Sequence, residues 1–272
     1  MRAVLIAQVV PAVQGLSALL RQHGHEPVAL LLAREGAERY AGQDGLLSET
    51  PADLDIVLAA ARDRIAPLLR AFDPDIVFCG GFPWKIPAAA LAVPRYGVVN
   101  GHPSLLPRYR GPSPVAWAIR NGETEIGFTF HRMDPELDTG AILAQARIEL
   151  ADEHSWDELG PKIAAVATEL FPSVLERLER GDPGDPQAET NGSYFTFFEP
   201  EYVWIDWSRP AAEIARQVRA WRFHSLVRGA RGALAELDGE TLRVLRVSLE
   251  PTDGRAVSCG DGTIWIVETE AP

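Results

Sequence analysis

Asn100 and His102 stand two residues apart at the end of the apolar run Tyr96 to Asn100, and Asp138 follows on a later polar segment, "FHRMDPELDTGAIL" (Phe130 to Leu143). An amide N–H can donate to a developing oxyanion, an imidazole can move a proton, and a carboxylate can orient the imidazole. On neighbouring loops of one sheet edge, these three groups would suit acyl transfer. Spacing alone leaves a second reading open, in which His102 is a structural hydrogen-bonder. The stretch after His102, "PSLLPRYRGPSP", is studded with proline and carries no acid. A loop that stiff holds its side chains in place, and a misplacement of about 1 Å can cost on the order of a hundredfold in rate.

The elements that must position these groups alternate between strand and helix patterns. Ala3 to Ala7, Pro27 to Ala33, Asp75 to Cys79 and Tyr96 to Asn100 read as buried strands, and Val13 to Gln22 and Ala52 to Phe72 as helices. Residues 34 to 52 are polar and unpatterned and read as a surface loop. Ile126 to Phe130 is a further strand, and Pro161 to Gly181 a long helix. Strands alternating with helices predict an α/β fold, a Rossmann-like, doubly wound, mostly parallel sheet. Ligands of such sheets bind at the carboxyl ends of the strands, where Asn100 and the Gly80-Gly81 turn are expected. The first strand is followed by "QVVPAVQG", which lacks the glycines of a dinucleotide-binding turn. "GDPGDPQAETNGS" (Gly181 to Ser193) is the clearest linker composition in the chain. After it come a helix near Ala211 to Trp221 and four short alternating runs, with hairpin signals at Asp238-Gly239 and Asp261-Gly262. The expected organisation is a catalytic domain over 1–186, a linker over 187–204 and a small β-rich, OB-like subdomain over 205–272.

The chain of 272 residues is 46% hydrophobic and 24% charged, ordinary for a globular protein with a substantial core. No run approaches the ~18 apolar residues of a membrane span. Cys79 and Cys259 lie far apart with no metal spacing, which predicts a reducing, cytoplasmic setting and no bound metal. A net charge of −12 speaks against a generic nucleic-acid binder. Six arginines between Arg209 and Arg231, with Glu213 the only acid among them, are the local exception.

"NGHPSLLPRYRG" followed by "MDPELDTGAIL" resembles the signature of the 10-formyltetrahydrofolate-dependent formyltransferases, among them the methionyl-tRNA, glycinamide ribonucleotide and sugar N-formyltransferases. "IDWSRPAAEIARQVRAW" (Ile205 to Trp221) is similar to the start of the C-terminal part of the tRNA and sugar enzymes. The resemblance implies a catalytic triad of Asn100, His102 and Asp138. An amine would attack the formyl carbon of 10-formyltetrahydrofolate, Asn100 and His102 would stabilise the oxyanion, and Asp138 would orient His102 and accept the amine's proton. It also implies a folate pocket between Trp84, Lys85 and Ile86 on one side and Asp134 and Leu137 on the other, with Ser104, Leu105, Leu106 and Pro107 lining the loop between. Trp84 reads equally as a core aromatic. Lys85, one of two lysines, is placed to meet the folate's glutamate tail, and Arg110 reads as loop scaffold.

The 34 to 52 loop carries two arginines against four acids, and residues 201 to 272 carry 9 arginines against 11 acids. This favours a small-molecule amine as acceptor, such as an amino-sugar nucleotide or an ornithine-type amine or hydroxylamine, over methionyl-tRNA. No nucleic acid or membrane partner is expected, and the C-terminal part would shape the acceptor rim or a homodimer contact. A formyltetrahydrofolate hydrolase and a non-catalytic folate-binding protein are the alternatives of another class. A metal-dependent hydrolase built on His102, His131 and Asp138 lacks the helical spacing of such sites. The resemblance predicts that a reduced folate raises the melting temperature by mass action, whereas NAD and ATP leave it unchanged; thermal-shift titration checks this.

Overall fold

The computed structural model describes residues 1–34, 46–151, 155–188, 190–228 and 232–272. Its strands are β1 (Arg2–Ala7), β2 (Glu26–Ala33), β3 (Asp55–Ala59), β4 (Ile76–Gly80), β5 (Val98–His102), β6 (Glu125–Arg132), β7 (Ile142–Glu149), β8 (Ala233–Leu237), β9 (Glu240–Ser248), β10 (Arg255–Cys259) and β11 (Gly262–Glu270). The α-helices are α1 (Val10–Gln22), α2 (Leu46–Glu49), α3 (Ile65–Phe72), α4 (Ala88–Leu91), α5 (Pro114–Arg120), α6 (Trp156–Glu179) and α7 (Ala211–Arg228). The chain forms two compact units. One comprises Met1–Gly111 and Glu125–Tyr194, the other Pro112–Thr124 and Phe195–Pro272.

The first unit is built on a seven-stranded sheet in the order β3-β2-β1-β4-β5-β6-β7. The first five of these strands are parallel neighbours, and β6 and β7 turn antiparallel at one edge. Both faces are covered, which is why β1 and β4 read as continuous apolar runs. Successive residues of β1 point to opposite faces. Ala3, Leu5 and Ala7 join a core with α1 and α6 that includes Phe78, Phe130 and Phe171. Val4 and Ile6 join a second core with α3 and α4. The chain crosses from β3 back to β4 on the other side of β1, so the topological switch point lies between β1 and β4.

Two segments differ from the sequence reading. The stretch Ala52 to Phe72 is not one helix: Asp55–Ala59 forms edge strand β3, and only Ile65–Phe72 is α-helical. Ile56 and Val57 have the β-branched shape that suits a pleated strand, and pairing to β2 overrides the apolar periodicity. Within the expected 34 to 52 loop, Leu46–Glu49 forms a short helix with Leu46 buried, while residues 35–45 lie outside the described residues. Strand β5 also runs on to His102, two residues past the expected end.

In the second unit, β8 to β11 form an antiparallel sheet in the order β10-β11-β9-β8. Asp238 and Gly239, both at positive φ, make the tight turn between β8 and β9, as the Asp-Gly signal predicts. Helix α5 clusters with this unit rather than with the sheet it follows in sequence. Trp117 on α5 stacks on Phe195 and donates its indole N–H to the Thr196 carbonyl at 2.7 Å. Among the described residues, no helix is long and apolar enough to cross a membrane.

Candidate active site

Antiparallel pairing of β5 with β6 sets Asn100 opposite His131 and His102 opposite Thr129. Asn100 (8% exposed), His102 (5%) and His131 (1%) are all buried polar side chains, so each must find hydrogen-bond partners. The His102 Nε2–H donates to the Tyr109 carbonyl at 2.9 Å. Because a carbonyl can only accept, this partner places the neutral ring's proton on Nε2 and leaves Nδ1 with a lone pair. Nδ1 faces the Asp138 carboxylate, with Oδ2 at 3.9 Å, beyond direct hydrogen-bonding distance. The ring of His102 is thus oriented by a backbone carbonyl seven residues ahead of it, and Asp138 stands across a gap.

Asp138 is held from its own side. Its Oδ2 accepts the Gly111 N–H at 2.8 Å. Asp138 (φ 55°) and Tyr109 (φ 58°) both adopt left-handed backbone conformations, which cost non-glycine residues free energy unless their surroundings enforce them. Asp134 shapes the turn that delivers Asp138: its Oδ1 accepts the Glu136 N–H at 3.0 Å and the Thr139 hydroxyl at 2.7 Å. The turn closes through Gly140, where a Cβ would collide with the Arg132 carbonyl oxygen.

His131 was absent from the expected catalytic set, and only the strand register brings it in. Its Nδ1–H donates to the Arg132 carbonyl at 2.9 Å, leaving Nε2 to accept the Asn100 Nδ2–H at 3.1 Å. Asp138 Oδ1 lies 3.7 Å from the same Nε2. Burial and then the neighbouring His102 push the His131 pKa down to about 4, against the attraction of Asp138, so the ring is neutral near pH 7. One N–H of the Asn100 amide is therefore engaged and its orientation set. Cys79, paired with Asn100 across β4 and β5, is kept a thiol: burial and then the Asp138 charge push it up to about 12.

The residues expected around a folate divide into two groups. Ile86, Ser104 and Leu106 are buried in the scaffold, and the Ser104 hydroxyl caps the Arg108 carbonyl at 2.8 Å. Trp84 is partly buried against the α3–α4 core and meets Phe82 edge-on at 5.7 Å. Lys85 reaches Glu136 at 3.2 Å, so the loop after β4 and the 133–138 turn face one another. Leu137 is exposed, and Met133 packs with Phe82 and Trp84 on the same cluster. Leu105 and Pro107 line a different feature, a groove of about 400 Å³ shared with Gln145, Arg147 and Asn191, and none of the triad lines it.

Arg110 and the stretch after α6 join the two halves of the site. The Arg110 guanidinium donates to Gln187 Oε1, and Gln187 Nε2 donates to the Asp138 and Gly140 carbonyls. The stretch has the composition of a linker, and nothing local in "GDPGDPQ" announces such contacts.

The depressed pKa of His131 has a consequence for stability. The unfolded chain protonates this ring below its usual 6.5 while the folded chain keeps it neutral down to about 4. Between those values the unfolded state binds more protons, so stability falls as pH falls through that window. The loss attributable to His131 is roughly 3 kcal/mol at most. Chemical denaturation of wild type and His131→Gln between pH 7 and pH 4 should show a shallower acid-side loss in the variant.

Comparison with known proteins identifies the family of the chain. Residues 3–175 match the family described as formyl transferase, and residues 198–272 match the formyl transferase C-terminal domain. A methionyl-tRNA formyltransferase of Burkholderia mallei is 32% identical over 259 residues, covering 89% of this chain and 77% of that protein. Among solved structures, HypX from Aquifex aeolicus in complex with tetrahydrofolic acid superposes with a TM-score of 0.72 at 20% identity, over 99% of this chain. The chain spans only 44% of the length of HypX. An N-formyltransferase from Helicobacter canadensis, in complex with folinic acid and dTDP-3-aminofucose, superposes with a TM-score of 0.67 at 18% identity over nearly the full length of both chains. Matched by family models over both its N-terminal and C-terminal parts, the chain belongs to the formyl transferase family.

Proposed function

We propose that this formyltransferase moves a formyl group from 10-formyltetrahydrofolate to the amine of a small-molecule acceptor, with Asn100, His102 and Asp138 as its catalytic residues. The observation that carries the reading is the gap between His102 Nδ1 and Asp138 Oδ2, 3.9 Å wide and lined by two acceptors. A primary amine presented there has N–H donors for both. Phe82, Trp84 and Met133, partly buried on the α3–α4 core, supply apolar ground for a ring system, and the folate and folinic acid complexes of the Aquifex and Helicobacter proteins support that choice of donor.

When bound, the folate supplies an N-formyl carbonyl as electrophile. His102 Nδ1, its lone pair free because Nε2 serves Tyr109, takes one proton from the amine as the new C–N bond forms. The Asp138 carboxylate balances the imidazolium that results. The same Nδ1–H then returns its proton to the departing nitrogen, so the ring ends as it began and no charge accumulates. The Asn100 N–H left over from the His131 bond donates to the formyl oxygen as negative charge develops there, a contribution of roughly 3–4 kcal/mol for one such donor. This sequence assigns the proton to His102 first and gives Asp138 the electrostatic role.

Surface charge supports a small acceptor. In the second unit Arg209, Arg243, Arg246 and Arg255 pair with Glu213, Glu270, Glu268 and Asp238, and Arg120 with Glu199. Cations matched in this way, on a chain of net charge −12, offer little field to a phosphate backbone. Transfer to methionyl-tRNA is the second reading, favoured by the names of relatives at 32% identity. A formyl-transfer assay across amino-sugar nucleotides, ornithine derivatives and charged initiator tRNA decides between them.

His102→Ala and Asp138→Ala should each abolish turnover with the melting temperature preserved, and Asn100→Ala should lower kcat about a hundred- to a thousandfold. Steady-state kinetics with thermal melts would show it, and near-normal turnover in the first two would end the mechanism. Initiator tRNA should show no salt-sensitive binding near physiological ionic strength. Efficient methionyl-tRNA formylation that disappears when Arg216, Arg219 and Arg222 become Glu would transfer the assignment to the tRNA reading.

A further inference from the structure

We propose that Gln187, in a stretch whose composition reads as a linker, is a positioning residue of the active site that sets the spacing between the His102 loop and the Asp138 turn. The inference rests on the catalytic roles of His102 and Asp138 argued above. A carboxamide has two N–H donors and two acceptor lone pairs. Gln187 uses all four. Its Nε2 donates to the Asp138 carbonyl at 2.8 Å and the Gly140 carbonyl at 2.8 Å. Its Oε1 accepts from Arg110 Nε at 3.1 Å and Nη2 at 2.7 Å. The amide cannot be turned over, because that would set its NH2 against a guanidinium and its oxygen against two carbonyls.

These bonds close a ring that contains both walls of the gap. His102 Nε2 is bound to Tyr109, which is followed in the chain by Arg110 and Gly111. The Gly111 N–H is bound to the Asp138 carboxylate, and the Asp138 carbonyl to Gln187, which returns to Arg110. Asp138 sits in a left-handed conformation that relaxes when its surroundings stop enforcing it. Gln187 grips the residue by its backbone while Gly111 grips it by its side chain. The flanking chain anchors the strap at either end. Asp185 and Ile142 exchange both backbone hydrogen bonds, at 2.8 and 2.7 Å. Ser193 binds the Tyr109 N–H through its hydroxyl at 2.8 Å, the Pro107 carbonyl through its N–H and the Arg110 N–H through its carbonyl. A segment that only joined two bodies would need none of this.

Two variants separate the halves of the contact. Gln187→Met keeps the length of the side chain and removes all four bonds. Gln187→Glu keeps the acceptor for Arg110 and turns an oxygen toward the Asp138 and Gly140 carbonyls. Both should lower kcat by about ten- to a hundredfold at little change in KM for the folate, as expected for a displaced catalytic group. In an Asp138→Asn background, Gln187→Met should cost nothing further, because its effect passes through Asp138. Independently of activity, hydrogen exchange at the Gly111 amide should accelerate about tenfold or more in Gln187→Met, while the β1 and β4 amides keep their protection. Unchanged Gly111 exchange in both variants would overturn the proposal, as would losses that multiply with Asp138→Asn. If Asp138→Asn itself retained full turnover, the catalytic reading would fall, and the exchange result would still decide the role of Gln187.

Discussion

One hydrogen bond, from the Gly111 amide to the Asp138 carboxylate at 2.8 Å, ties the loop after β5 to the turn after β6. The site depends on it because a carboxylate and an imidazole must face each other across a fixed distance, and while the imidazole ends a paired strand, the carboxylate is carried by a turn. The sheet alone positions only Asn100, His102 and His131, which lie on paired strands. Asp138 lies on a turn, in a conformation that L-residues avoid. The Gly111 bond holds its carboxylate toward the gap, and Gln187 holds its backbone carbonyl.

Burial gives this arrangement its chemical character. The imidazoles of His102 and His131 each present one N–H to a backbone carbonyl, so both tautomers are set by the main chain rather than by solvent. Burial, and then the second imidazole 6.3 Å away, hold His131 neutral. Its neutrality lets Nε2 accept from Asn100, which directs the rest of that amide. The polar groups of the site thus satisfy one another in a chain, and a change at one is felt by the next.

Away from the site, several of the described arginines are engaged within the molecule. Arg132 donates to the Tyr96 and Asp182 carbonyls, Arg177 pairs with Asp182 and Asp185, and Arg110 serves Gln187. In the first unit these arginines act as struts between the sheet and the stretch after α6. In the second unit, cross-strand pairs such as Arg243 with Glu270 brace β9 against β11, and exposed pairs of this kind add little stability each. A count of arginines along the chain therefore overstates the positive surface available to a polyanion.

Local pattern was enough to read most of the architecture. The buried runs of β1, β2 and β4, the Asp-Gly turns of the second unit and the paired motifs around His102 and Asp138 were all legible, because their information is carried by neighbouring residues. The sequence alone also brought Asn100, His102 and Asp138 into one hypothesis and the chain into one family. It did not reveal β3, since a short apolar edge strand and a helical turn share the same composition and only pairing to β2 distinguishes them. It named His131 only for a metal site and not as the partner of Asn100, because the opposition of residues 100 and 131 exists only once β6 has paired antiparallel to β5. Nor did it show that Tyr109, rather than Asp138, orients the His102 ring. Gln187 is the clearest case: in sequence it is one polar residue in a Gly- and Pro-rich stretch. Its four bonds reach residues 110, 138 and 140, and contacts between distant segments form only in the folded chain, where each buried polar group must find a partner.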